Sequence, residues 1–455
     1  MTEPSRVTSP LSSKLWAGRA LMVAAGFLTS SAGGAHAGAF LNAIQSASSA
    51  SVSTAGQTAV AEDGSTVYYN PAGMSFLERP ELLLATGLVV MSNTFDNHGT
   101  TDALGAPVRG GEGKRNEVFP VPSMFATLPL SGGFTAGIGI FSPYGQSNAY
   151  PDDWVGRYQL QRISLKTVDI DPAIAYRLDD KFAVGVGMDI QYAHLVRQSA
   201  LDFGSLCFAS ISPGVCQASG LVPESADGTL TAAAHNWNVG FNVGAIYDLT
   251  GSTRIGISYR STVGHDLSGH AAFQVPANAM PLTQGGLFRD TGLNSKITFP
   301  FQLNFGLSQI LNQRFTLLAD FDLTGWKSVK SLTLNFANPL QPDQGLMLNW
   351  KDSVRVAIGG IYHLSDSTDL RAGLSYDQTP VSTEFRSADL PDSDEYMASA
   401  GITERFDQGF FATIAYSYGY FMPARTDLSL MGAGTLLGTF HRRSNALSVQ
   451  GRMVF

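Results

Sequence analysis

The stretch VDIDPAIAYRLDDKFAVGVGMDIQYAHL, residues 168–195, decides the fold. Val168, Ile170, Pro172, Ile174 and Tyr176 fall on one face, and Asp169, Asp171, Ala173 and Ala175 on the other. After Asp179-Asp180 the pattern restarts. Val184, Val186, Met188, Ile190 and Tyr192 oppose Gly185, Gly187, Asp189 and Gln191. A period of two is the mark of a β-strand, because successive side chains leave opposite faces of the pleat. One face is apolar throughout; the other carries aspartate and glycine. A soluble sandwich turns the apolar face inward, whereas a transmembrane barrel turns it outward to lipid and lines its interior with polar groups. Periodicity alone leaves both open.

Connection lengths separate the two. About fourteen such segments follow residue 80, an even number. Leu370, Ala372, Leu374 and Tyr376, for instance, alternate with Arg371, Gly373, Ser375 and Asp377, and Phe315, Leu317, Ala319 and Phe321 with Asp320 and Asp322. Very short turns fall at Asp179-Asp180, Thr250-Gly251-Ser252, Asn312-Gln313, Ser365-Asp366-Ser367 and Asp407-Gln408. Between them lie long connections at 96–117, 142–162, 204–234, 274–292, 379–392 and 422–441. Alternating short and long connections are expected of an outer-membrane barrel with tight periplasmic turns and long extracellular loops. The segments AIAYRL, GAIYDL and GGIYHL place Tyr176, Tyr247 and Tyr362 just before short turns, where an interfacial aromatic belt belongs. The chain ends in alternation on Phe455.

Composition agrees. Of 455 residues, 48 are glycine, 27 phenylalanine and 15 tyrosine, while charged residues make up only 15% and the net charge is −8. Lys14 and Arg19 precede the apolar run ALMVAAGFL, and Ala35-His36-Ala37 follows as a cleavage site, so 1–37 reads as a signal peptide. Segment 38–79 is rich in small residues and too short for a core of its own. It is expected to fold into the barrel as a hatch, with the barrel formed by 80–455. The two cysteines, Cys207 and Cys216, lie close together in one long connection and are expected to pair in an oxidising compartment.

The motifs GAFLNAIQSASSASVSTAGQTAVAEDGSTVYYNPAGMSFL (38–77), FSPYGQSNAYPDDWVGRY (141–158), NWNVGFNVGAIYDL (236–249), KDSVRVAIGGIYHL (351–364) and LRAGLSYDQTPV (370–381) resemble, in the same order, the FadL-type outer-membrane transporters of long-chain fatty acids and other hydrophobic compounds. The resemblance spans the mature chain. It implies a hatch containing Asn70-Pro71-Ala72 and an N-terminal aromatic, here Phe40, seated in an inner pocket. It also implies a kink in the third strand, at Pro143-Tyr144-Gly145, that opens a lateral exit to the bilayer. The residues support a kink independently: Pro120, Pro122 and Pro143 cannot donate to a ladder. By strand parity Arg197 and Lys351 face the lumen, where a fatty-acid carboxylate would want a cation. Inward aspartates compete for the same cations. Apolar residues in 204–234 and 274–292, among them Leu206, Phe208, Leu282 and Phe288, suggest an extracellular landing groove.

Other classes fit poorly. His265-Asp266 with Ser268 and His270 lacks a nucleophile motif, and Gly137-Ile138-Gly139 is not followed by a helix as a nucleotide loop would be. The expectation is therefore a passive uptake channel for long-chain fatty acids or, alternatively, aromatic hydrocarbons. It would be a monomer, neither an enzyme nor a nucleic-acid binder, with no cofactor or metal. Its other partners would be outer-membrane lipids, lipopolysaccharide and the barrel-assembly machinery.

Overall fold

The computed structural model describes residues 38–455; the expected signal peptide, 1–37, lies outside the described residues. Alternation along the chain produces twenty strand segments that merge into fourteen barrel strands. These are β1 (Glu81–Asn97), β2 (Arg115–Pro129), β3 (Phe134–Phe141, then Gly145–Ala149), β4 (Arg162–Arg177), β5 (Phe182–Asp202) and β6 (Asp227–Thr250). Next come β7 (Thr253–Arg260, then Val263–Gln274), β8 (Thr291–Phe299, then Gln302–Asn312), β9 (Phe315–Thr324, then Ser331–Phe336) and β10 (Gln344–Met347, then Ser353–His363). The last four are β11 (Thr368–Asp377), β12 (Glu395–Arg405), β13 (Phe410–Phe421, then Ala424–Leu430) and β14 (Gly434–Val454). Each pairs antiparallel with the next, and β14 closes on β1 from Glu81↔Val454 to Asn97↔Gly438.

The pleat sorts side chains as lipid requires. Val184, Val186, Met188, Ile358 and Leu374 are exposed on the outer wall, while Asp169, Asp171, Asp189, Gln191 and Asp320 are buried inside. Among the described residues no helix is long and apolar enough to cross a membrane; the strands do so. Roughly 9–11 residues suffice for a strand to span a bilayer, yet β6 has 24 residues and β5 and β14 have 21 each. The wall therefore rises well beyond the membrane on the side of the long connections. At the short-turn end Tyr176, Tyr247 and Tyr362 lie opposite Phe134, Phe182 and Phe315 in the ladder, which builds the expected aromatic belt.

Two connections depart from the sequence reading. Residues 422–441 are not an open loop: Ala424–Leu430 pairs with Gly434–Phe440, so β13 and β14 run on as a hairpin. A seventh long connection, 325–352, joins the barrel parts of β9 and β10 (Phe315–Thr324 and Ser353–His363), and the outer parts of these strands pair within it as a short hairpin, Ser331↔Met347 to Leu334↔Gln344. It escaped notice because its alternation matches that of the barrel strands.

Residues 38–77 fill the lumen, and none of them is exposed. Three single-turn helices, α1 (Ala47–Ser51), α2 (Gln57–Val60) and α3 (Thr66–Tyr69), are followed by a 3-10 turn, Pro71–Phe76. Side chains of serine, threonine and alanine keep these turns thin enough to sit inside the wall. Cys207 and Cys216 form a disulfide between α4 (Phe203–Ser210) and α5 (Pro213–Ala218), in the connection from β5 to β6.

Candidate lumenal site and lateral break

The third strand stops at Phe141 and resumes at Gly145, displaced from its neighbour. Below the break, Thr135–Ile140 pairs with Pro129–Met124 of β2. Above it, Gly145–Ala149 pairs only with β4, and residues 115–123 of β2 pair with β1 alone. Pro120 and Pro122 lie in that half-paired stretch. The β1 ladder runs unbroken past both prolines, so their missing N–H groups fall on the open edge, where no partner needs them. An unpaired edge facing hydrocarbon is costly, and the N-terminal segment covers it. The Asn42 amide donates to Pro143 O (2.7 Å), the Gly145 amide to Phe40 O (2.8 Å), and the Gln45 carboxamide to Ser142 O (2.9 Å). A crevice of about 10 Å³ lies behind the gap, between Asn42, Gln45, Val89 and Val121.

Those backbone bonds seat Phe40. Its ring is buried among Tyr144 (6.1 Å between centroids), Phe299 (5.7 Å), Trp326 (4.8 Å) and Trp350 (5.4 Å), mostly edge to face. Beside it is a small apolar cavity of about 40 Å³, lined by Phe40, Ile163, Leu165, Leu195, Ile297 and Leu390 among others. A larger groove, about 590 Å³ and open to solvent, lies between the outer connections, with Leu206, Leu282, Leu287, Phe288 and Leu340 in its walls. Leu332 and Leu346, from the hairpin of the seventh connection, line both spaces.

Arg197 lines the groove at its inner end. Its guanidinium grips Asp389 with both arms, at 2.7 Å and 3.4 Å, and donates to Gln159 O at 2.5 Å. Asp389 in turn lines the inner cavity. Lys351 takes a different place from the one parity gives it. The inward set is Leu346, Leu348 and Trp350 before it and Ser353 and Arg355 after it, an even-to-odd switch. The alternation runs on through Asn349 and switches between Trp350 and Ser353, and Lys351 is left exposed while its amide donates to Pro380 O at 3.0 Å. Three further inward cations are matched to acids, Arg260 with Asp171 and Asp189, Arg355 with Asp322 and Arg371 with Glu62, whereas buried Arg386 donates to the carbonyls of Val381, Asp392 and Arg425.

Asn70 occupies the far side of the lumen. Its carboxamide donates to Thr58 O (2.8 Å), Ala245 O (3.1 Å) and Ile257 O (3.3 Å) and caps the turn at Ala72 N (3.1 Å), which ties the hatch to β6 and β7. Gly185 and Gly244 let it approach: a Cβ at Gly185 would strike the backbone of Pro71, and one at Gly244 the Asn70 side chain. Tyr68 packs on Phe141, just before the break, at 4.9 Å.

The structure thus brings together Phe40 and Pro143-Tyr144-Gly145, and links Arg197 of the groove to the inner cavity through Asp389. Asn70-Pro71-Ala72 stands apart, and Lys351 takes no part. Trp326, Trp350 and Asp389 were missed. Tryptophan is scarce, five in the chain, and two of the five flanking one unassigned connection was the available signal. Asp389 carried none, being one acid among several in a polar loop.

The model of the outer membrane protein transport protein family (OMPP1/FadL/TodX) matches residues 28–455. The long-chain fatty acid transport protein of Escherichia coli K12 is 27% identical over 385 residues, covering 80% of this chain and 83% of that one. In fold, a FadL homologue of Pseudomonas aeruginosa superposes with a TM-score of 0.82 at 21% identity, over 92% of this chain and 100% of the other. The toluene transporter TodX of Pseudomonas putida gives 0.67 at 19%, over 92% and 100%. With a match over nearly its whole length, the chain belongs to the OMPP1/FadL/TodX family of outer-membrane transport proteins.

Proposed function

We propose that the protein admits long-chain fatty acids passively across the outer membrane. The acyl chain lands in the outer groove, slides over the hairpin face that carries Leu332 and Leu346, enters the inner cavity, and leaves sideways past Pro143-Tyr144-Gly145 once the N-terminal segment moves. The observation that supports this reading is that two apolar spaces adjoin across Leu332 and Leu346, with a guanidinium in the groove wall and a wall break beyond Phe40. An apolar groove with one cation suits a chain with an acid head; burial of that head without a partner would cost several kcal/mol, on the order of 2–7 for a polar group and more for a charge. The relative in Escherichia coli is named for the same cargo.

A second reading, uptake of neutral aromatic hydrocarbons, is favoured by the inner cavity, whose one acidic side chain is already matched to Arg197. Uptake of labelled oleate and labelled toluene by a strain lacking its own channel of this type separates the two. The wild-type chain should restore oleate uptake, and Leu332→Trp, which puts a bulky ring where groove and cavity adjoin, should abolish it. Restored toluene uptake with no oleate uptake would replace the first reading by the second, and restoration of neither would overturn both.

A further inference from the structure

The connection from β11 to β12, residues 378–394, folds inward instead of out to solvent: 386–393 are all buried. Three sets of contacts hold it. Asp389 pairs with Arg197 of β5. The Asp389 carbonyl accepts from Gln146 (2.6 Å) and Asn148 (2.7 Å), on the displaced upper part of β3. Asp392 accepts from the Ala39 amide (3.3 Å) and from Thr379 (2.6 Å), and meets Arg442 at 3.5 Å. Burial pushes the Asp392 carboxyl up to about 6, with Arg442 as the main opposing influence. One short loop therefore touches the partition between groove and cavity, the broken strand, and the residue next to Phe40.

We propose that Asp389 is an internal stand-in for the substrate carboxylate and so determines specificity for acids. The proposal rests on the fatty-acid reading. A chain descending the groove reaches the guanidinium of Arg197 with its head group. Carboxylate against guanidinium has the same two-pronged geometry whichever carboxylate supplies it. A buried ion pair contributes little net stability, since desolvation nearly cancels attraction, but removal of one partner without replacement is costly. Exchange of Asp389 for the ligand's carboxylate is therefore close to neutral, whereas a neutral chain has nothing to offer Arg197. The displaced Asp389 carboxylate turns into the water of the groove, and its loop follows. As 386–393 leaves, Asp392 lets go of Ala39, and the seat of Phe40 loosens. Acid recognition at the outer end of the cavity is in this way linked to the segment that covers the wall break.

The test uses purified full-length barrel in detergent, with oleate and oleyl alcohol as probes in equilibrium dialysis, and hydrogen exchange of residues 39–42 and 386–393. Asp389→Asn removes the competing charge with little change in size. It should tighten oleate about tenfold, the scale of one charged hydrogen bond, and leave oleyl alcohol unchanged. Arg197→Gln should erase the preference for the acid. In the wild type, oleate and not the alcohol should speed exchange in both segments; in Asp389→Asn both should be fast without ligand. An acid-to-alcohol ratio unaltered by Asp389→Asn, or wild-type exchange indifferent to bound oleate, overturns the proposal alone. Wild-type protein that binds no oleate overturns it together with the fatty-acid reading. The exchange arm needs no variant, so a misfolded Asp389→Asn leaves the decision intact.

Discussion

Asn70 uses one carboxamide to join three pieces of backbone: α2 through Thr58 O, β6 through Ala245 O and β7 through Ile257 O. The following Pro71 fixes the backbone for the 3-10 turn that Asn70 caps. Asn70→Ala would withdraw the donor from buried carbonyls, a loss of about 1–3 kcal/mol. That is large for a segment held by small side chains and negligible for a barrel closed by fourteen ladders. The double variant Asn70→Ala, Pro71→Ala should therefore insert normally, keeping its heat-modifiable mobility on gels, and lose most of its oleate uptake. Unchanged uptake would make the turn a plain connector. The chemistry of Asn70 could be anticipated from the Asn-Pro-Ala triplet, but not its partners, which lie 175 and 187 residues away.

Among the elements, β3 and the N-terminal segment form one unit. The strand gives up its pairing with the upper part of β2, and Phe40, Asn42 and Gln45 satisfy the freed carbonyls and amide. Replacement of Pro143-Tyr144-Gly145 by Thr-Val-Thr should let β3 continue in register against β2. The barrel should remain heat-modifiable and uptake should cease; retained uptake would count against lateral escape. The break was legible in part, because three prolines in two neighbouring strands mark missing donors. Its filling was not. Nothing in GAFLNAIQ specifies that its backbone will pair with a segment a hundred residues on, since that bond depends on an edge that exists only after the barrel has closed. For a like reason the seventh connection was invisible: Ser331–Phe336 and Gln344–Met347 alternate like membrane strands and differ from them only in standing above the bilayer.

At the scale of the molecule, the barrel is a filled vessel. Acids and cations meet across its interior, and the hatch is fastened near the turn end by Arg371, which holds Glu62 with two bonds of 2.6 Å and 2.7 Å. Loss of one partner from a mostly buried pair costs roughly 3–5 kcal/mol. The cost falls on the hatch, since Arg371 makes no ladder bond with its side chain. Arg371→Ala should consequently leave an intact barrel that conducts ions in planar bilayers, with frequent open events where the wild type is nearly silent. Silence in the variant would mean that the remaining contacts hold the hatch without this pair.

The sequence by itself determined the barrel. Alternation with a period of two, an apolar face with few charges and turns of unequal length are local properties, and lipid on one side leaves a fourteen-strand closure as their outcome. It also marked Phe40, Asn70-Pro71-Ala72, the proline break and Arg197 as residues to watch. Only the tertiary structure decided how they relate. It seats Phe40 between Trp326 and Trp350, leaves Lys351 exposed where the alternation switches between Trp350 and Ser353, and hands Arg197 to Asp389. The physical reason is that pairing inside a closed lumen is settled by which strands meet across it and which loop folds in, and a one-residue change of parity moves a side chain from one face of the wall to the other.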